Sequence, residues 1–233
     1  MRLSVAERRQ QLVEAAITVA CRDGIAGATV RAIAAEAGAS VGVVHYSFQD
    51  KNELLTEMAF ELTRRNAAQV LLDLPVQGDL TALLKWAIDA LWDEMSASRD
   101  AQLLTYELTT YSIRHPEVRT VPVNQYMASH WAAREFLLTV AASADIEWAV
   151  PLETLTRIVT TTIDGVVLAW LADDDGEAAH AQLRLFAETL ATFARSRAGA
   201  APDGQPAQLQ PDRTEAQGAF RLFVLPTRQP DPR

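Results

Sequence analysis

The sequence predicts an all-α protein, and three observations lead there. Apolar residues recur at three- and four-residue spacing through most of the first 197 positions. No segment in that stretch alternates with the period of two that a half-buried strand requires. The composition, 49% hydrophobic and 22% charged over 233 residues with 10 Gly and 10 Pro, is that of a folded chain with a sizeable core.

Residues Ala6–Arg22 read as a helix with Leu12, Ala16, Val19 and Ala20 on one face, ended by Gly24. Thr29 is placed to cap a short helix, Val30–Ala37, whose stripe is Val30, Ile33, Ala34 and Ala37. Gly38-Ala39-Ser40 breaks the chain, and Ser40 precedes a second short helix, Val41–Ser47. The spacing of these two helices about Gly38 is that of a helix-turn-helix. Asp50 caps a longer helix from Lys51 to about Leu72, with Glu53 three residues on as in a capping box. Helices are then expected over Asp79–Met95, Ala101–Arg114, Val118 to about Ala142, Leu152–Leu171 after Pro151, and Glu177–Arg197 after Asp173-Asp174-Asp175-Gly176. Three regions follow: a head over residues 1–50, a helical body over 51–197, and a tail over 198–233. The tail holds six of the ten prolines and is expected to be disordered, with one apolar run, Phe220–Leu225.

No window approaches about 18 uncharged apolar residues, so no membrane contact is expected. No small-residue cleavage site follows the N-terminal stretch, which points to a cytoplasmic protein. The single cysteine, Cys21, leaves no intramolecular disulfide or thiolate cluster, and neither a metal nor a cofactor is expected. Net charge is −9, but residues 1–65 carry eight basic and eight acidic groups, so all of the imbalance falls on the remainder. A neutral head on an acidic body still allows the head to approach phosphates.

The segment Thr29-Val30-Arg31-Ala32-Ile33-Ala34-Ala35-Glu36-Ala37-Gly38-Ala39-Ser40-Val41-Gly42-Val43-Val44-His45-Tyr46-Ser47-Phe48-Gln49-Asp50-Lys51, continuing to Leu54-Leu55, resembles the DNA-binding domain of the TetR family. The similarity begins at Arg8 and covers about residues 8–60. The packing logic of the motif is independent of the name. Ala34 sits where the two short helices cross, Gly38 supplies a tight turn, and Val44, Ile33 and Phe48 hold the second helix by packing. Its outer edge is then free to enter a major groove.

The resemblance implies roles position by position. Thr29, Tyr46 and Lys51 match phosphate-contacting positions, which set register without reading sequence. Arg31 matches a position that reaches a base. Ser40, Val41, Gly42 and Val43 line the front of the recognition helix, where valines can meet a thymine methyl. His45 stands where most members carry tyrosine, so base contact, phosphate contact and a structural role all remain open for it.

In this family the body encloses a small-molecule cavity, for which Trp86, Trp92, Tyr106, Tyr126, His130, Trp131 and Phe136 are the lining candidates, with ordinary core as their alternative. Leu155, Ile158, Val159, Thr162, Ile163, Val166, Val167 and Trp170 repeat along about 30 Å of helix. With Leu183, Phe186 and Leu190 of the last helix they would form a four-helix interface between two subunits. Asp164-Gly165 resembles a dipeptide found there in many members and is assigned a structural role ahead of a ligand contact.

Enzyme motifs are missing: there is no Gly-x-Ser-x-Gly, no phosphate loop and no paired histidine, and His45, His115, His130 and His180 fall on separate elements, with His115 and His180 expected in solvent. The expected protein is a homodimeric regulator, most simply a repressor, that binds a palindromic duplex and is released by a small-molecule effector. An activator with the same head, or a helical interaction protein without DNA binding, are the alternatives.

Overall fold

A computed structural model describes residues 3–72 and 79–197; the tail expected over 198–233, including its apolar run, lies outside the described residues. The first helix, α1 (Val5–Gly27), opens on a full capping box: the Ser4 hydroxyl accepts from the Glu7 amide and the Glu7 carboxylate accepts from the Ser4 amide. Gly24 does not end it but kinks it, taking a φ of 73° before the helix resumes as far as Gly27.

Then come α2 (Val30–Glu36) and α3 (Val41–Ser47). Thr29 caps α2 as expected, its hydroxyl accepting from the Ala32 amide at 3.2 Å. The turn after α2 is a Schellman motif: Gly38 has a φ of 60°, its amide donates to Ala35, and the Ala39 amide donates to Ala34. A Cβ at Gly38 would meet no atom within 4 Å, so the need for glycine lies in the backbone angle alone. Gly38→Ala is therefore expected to cost about 1–2 kcal/mol of stability, read as a lowered midpoint in urea unfolding.

The long helix α4 (Lys51–Leu72) starts at Asp50, whose carboxylate accepts from the Glu53 amide at 2.8 Å, while the Glu53 carboxylate accepts from the Gln49 amide. The body comprises α5 (Leu80–Ala97), α6 (Arg99–Arg114), a single 3₁₀ turn (Pro116–Val118), α7 (Thr120–Ser143), α8 (Leu152–Asp173) and α9 (Gly176–Ala191). Asp174 takes the left-handed conformation, φ 61°, that lets the chain reverse between α8 and α9, and the Asp175 side chain caps α9.

One element departs from an all-helical reading. Two three-residue strands, β1 (Ile146–Trp148) and β2 (Ala194–Ser196), pair, so the last helix stops at Ala191 rather than at Arg197. Each is too short to show an alternating pattern, and their partners lie far apart in sequence.

Two apolar cores form. The first joins α1, α2, α3 and α4 through fully buried Leu12, Ala16, Val19, Ile33, Leu55 and Met58, and it extends to Leu104 and Leu108 of α6. The second packs α5, α7, α8 and α9 around Leu84, Leu137, Val140, Leu155, Val167 and Leu183. Polar ties reinforce the first: Arg9 of α1 bonds the Ser47 carbonyl that ends α3, pairs with Glu53 and Glu57 of α4, and lies 4.6 Å from the Phe48 ring. Arg65 of α4 pairs with Glu14 of α1 and Glu61. Two basic groups, Arg9 of the head and Arg65 of α4, are thus spent on holding this core together.

Among the described residues α8 alone is long and apolar enough to cross a membrane by length and composition. Its inward face is core, and it carries Asp164 at mid-length. The recurrence of Leu155, Val159, Val166, Val167 and Trp170, read from the sequence as an interface, is that core: all five are buried within this chain, as are Leu183 and Leu190 of α9. Ile158, Thr162, Ile163 and Phe186 are half-buried. Periodicity marks the apolar face of a helix without saying whose surface covers it, and here the chain covers its own.

The candidate DNA-facing edge and an effector cavity

At the head, the packing of Ile33, Ala34, Val44 and Phe48 inward leaves a continuous outer edge. Thr29, Arg31, Ser40, Val41, Gly42, His45, Tyr46 and Lys51 are all exposed, and Val43 is half-buried against the first core. Ser40 starts α3 without accepting a capping hydrogen bond on its side chain, and the residue is exposed. Tyr46 is 84% exposed, which removes the alternative of a core tyrosine; Phe48 fills the inward place two residues on. Arg31 enters no ion pair or hydrogen bond among the described residues. Lys51 is held differently: its ammonium lies 3.4 Å from the Tyr111 hydroxyl and 5.1 Å from the centre of that ring. Tyr111 in turn stacks on His115 at 3.9 Å, and His115 Nδ1 lies 2.7 Å from the Tyr111 carbonyl. His115 is therefore a packed residue rather than the solvated one expected from its place before Pro116.

In the body lies a cavity of about 160 Å³ bounded by α4, α5, α6, α7, α8 and α9. Three of the seven lining candidates reach it: Tyr106, Tyr126 and Phe136. The others do not, for reasons of helix phase and packing. On α7 the inward face is Gln125, Tyr126, Ser129, Ala132, Ala133 and Phe136, and His130 and Trp131 lie one and two steps of about 100° round from Ser129. Trp86 packs against the second core. Trp92 fills the seam between α5, α8 and α9, edge-on to Trp170 at 5.1 Å and stacked on His180 at 5.8 Å. His180 is also hydrogen-bonded to Asp89, so it too is packed rather than free in solvent.

The residue the sequence reading undervalued is Asp164. It lines the cavity, and the Tyr126 hydroxyl donates to its carboxylate while the Tyr106 hydroxyl donates to its backbone carbonyl at 2.9 Å. Burial lifts the Asp164 carboxyl above the ordinary carboxylate range, against the hydrogen bond from Tyr126 and the nearby His130. Burial also pushes Tyr126 up to about 12 and Tyr106 further, so both phenols stay protonated and act as donors. An acidic residue on an otherwise apolar helix face was the available signal. Ile163, expected at a subunit interface, is cavity wall as well.

Cavity and head share two helices. Thr63 of α4 lines the cavity, about 18 Å along the helix from Lys51 at 1.5 Å per residue. On α6, Tyr106 faces Asp164 and Tyr111 faces Lys51.

A helix-turn-helix with an exposed recognition edge, joined by shared helices to a cavity-bearing helical body, is the architecture of a ligand-responsive class of bacterial transcription regulators. This chain belongs to the TetR family. The profile of the bacterial regulatory proteins, tetR family, matches residues 12–58. A nicotine-responsive transcriptional repressor of Paenarthrobacter nicotinovorans, HdnoR, is 31% identical over 173 residues, which span 74% of this chain and 88% of that one. The crystal structure of the multidrug binding protein EbrR complexed with ethidium superposes with a TM-score of 0.57 at 26% identity, covering 81% of this chain and 99% of EbrR. A TetR-family regulator from Mesorhizobium loti shares the fold at a TM-score of 0.68 and 13% identity, covering 83% of this chain and 99% of that one. The proteins of this family are regulators, not enzymes.

Proposed function

We propose that this protein is a cytoplasmic repressor that binds a palindromic operator as a homodimer and leaves it when a small molecule fills the body cavity. The observation that carries the reading is that α4 and α6 each touch the cavity at one end and Lys51 near the other. A ligand that re-spaces these helices shifts the recognition edge, and a shift of about 1–3 kcal/mol is the usual scale of such coupling. In the bound state Thr29, Tyr46 and Lys51 contact phosphates, Arg31 reaches a base, and Ser40, Val41, Gly42, Val43 and His45 face the groove. The name of HdnoR, a nicotine-responsive repressor, and the ligand in the EbrR complex support a repressor that answers to a small molecule.

The dimer forms on the outward faces of α8 and α9. On α8 this face is Thr154, Thr161, Gly165, Leu168, Ala169 and Ala172; on α9 it is Ala178, Ala181, Gln182, Leu185 and Thr189. Leu168 and Leu185 are 53% and 62% exposed, and Gly165 has nothing within 4 Å of where a Cβ would stand, so two such faces can approach closely.

The reading is tested by selecting bound duplexes from genomic fragments and then titrating candidate ligands by tryptophan fluorescence with and without the selected duplex. Palindromic fragments should be enriched, and the duplex should weaken ligand binding by the same factor by which ligand weakens duplex binding. Enrichment of no particular sequence would overturn DNA recognition. Ligand affinities identical in both titrations would overturn release.

A further inference from the structure

Asp164 is the one charged residue among the described residues that line the cavity. The rest of the wall is aliphatic, aromatic or neutral polar, with Tyr106, Tyr126, Phe136 and Phe186 among its residues. No lysine or arginine among the described residues forms an ion pair with Asp164; the titratable groups that face it are Tyr106, Tyr126 and His130. Tyr126 donates to the carboxylate, but a neutral phenol stabilises a buried charge without cancelling it. Burial is also what raises this carboxyl, against the opposing influence of Tyr126 and His130.

We infer that the cavity takes a small monovalent organic cation, a protonated amine on an apolar or aromatic body, with its ammonium group paired to Asp164 and flanked by Tyr126 and Tyr106. Such a molecule supplies a positive charge, places its N–H as a charge-assisted donor, and lays its body on an apolar wall that carries aromatic residues. An anion is repelled by the carboxylate, and a neutral hydrocarbon leaves it without a cationic partner. The cavity is smaller than the roughly 300–1,000 Å³ of drug-sized sites, which restricts the amine to a compact one. The inference rests on reading the cavity as the effector site.

Matched probes isolate the charge. Benzyldimethylamine, protonated at neutral pH, and isobutylbenzene differ only in an N–H⁺ replaced by C–H; the corresponding dimethylaminomethyl and isobutyl naphthalenes form a larger pair. Binding of each to the full-length chain is measured by calorimetry at neutral pH. In the native chain the amines should bind at least about tenfold more tightly than their hydrocarbons. Asp164→Asn should erase that preference while changing hydrocarbon affinity less than about twofold, and Asp164→Glu should retain it. Hydrocarbons that bind as tightly as amines in the native chain overturn the charge pairing whatever the variants do, and leave the cavity standing as a site for neutral effectors. A preference that survives Asp164→Asn in a folded variant overturns the role of Asp164. Failure of all four probes to bind overturns both the inference and the cavity reading beneath it.

Discussion

Leu168→Asp combined with Leu185→Asp is expected to turn the proposed dimer into a monomer. Both leucines stand on the outer face of their helices, 53% and 62% exposed in the single chain, so the substitution leaves the chain's own core untouched. In a dimer built on α8 and α9 each would bury an unpaired carboxylate, at a cost of several kcal/mol. The dissociation constant of the dimer should rise at least about a hundredfold. Sedimentation should then show a monomer whose circular dichroism and thermal midpoint match those of the native chain. Operator affinity should fall with it, because one head holds only one half-site. A doubly substituted chain that still sediments as a dimer would move the interface off these helices. Ile163→Asp, by contrast, is expected to damage the cavity, since Ile163 is part of its wall.

Arg31→Ala and Lys51→Ala should separate sequence reading from phosphate holding. Arg31 is exposed at the start of α2 and tied to no other residue among those described, which leaves its guanidinium placed to bracket a base. Its loss should cost about 1–3 kcal/mol on the selected duplex and far less on random duplexes. Lys51 should act on both alike, with the dependence of log affinity on log salt concentration reduced by about one. Equal losses on selected and random duplexes for Arg31→Ala would remove it as a base reader. Lys51 also rests on Tyr111, so its loss should additionally disturb the contact of α6 with the start of α4.

The head was legible almost residue by residue. Thr29, Gly38 and Asp50 do in three dimensions what their types and spacing indicate, because caps and tight turns are local arrangements that a few consecutive residues complete among themselves. The outward placement of Arg31, Val41, His45 and Tyr46 followed as well, since a short helix with Ile33, Val44 and Phe48 turned inward has only one other side. The helices of the body were legible for the same reason, except that the last was expected to run on to Arg197 and stops at Ala191.

What local spacing did not reveal was which surface covers each helix face. The apolar stripe of α8 reads identically whether it meets a second subunit or α7 and α9 of its own chain, and burial shows that it meets its own. The face proposed for the dimer is the less apolar side of the same helix, with little hydrophobic signal to announce it. Aromatic residues were equally ambiguous. Trp92 stops a seam while Tyr106 and Tyr126 reach the cavity, because the direction of a side chain depends on helix phase relative to neighbours distant in sequence. The paired strands at Ile146–Trp148 and Ala194–Ser196 belong with these, each half carrying too few residues to signal its partner. Asp164 makes the division plainest. Its charge could be read from the chain, but its burial beside Tyr126, in a space enclosed by six helices, exists only once those helices have packed.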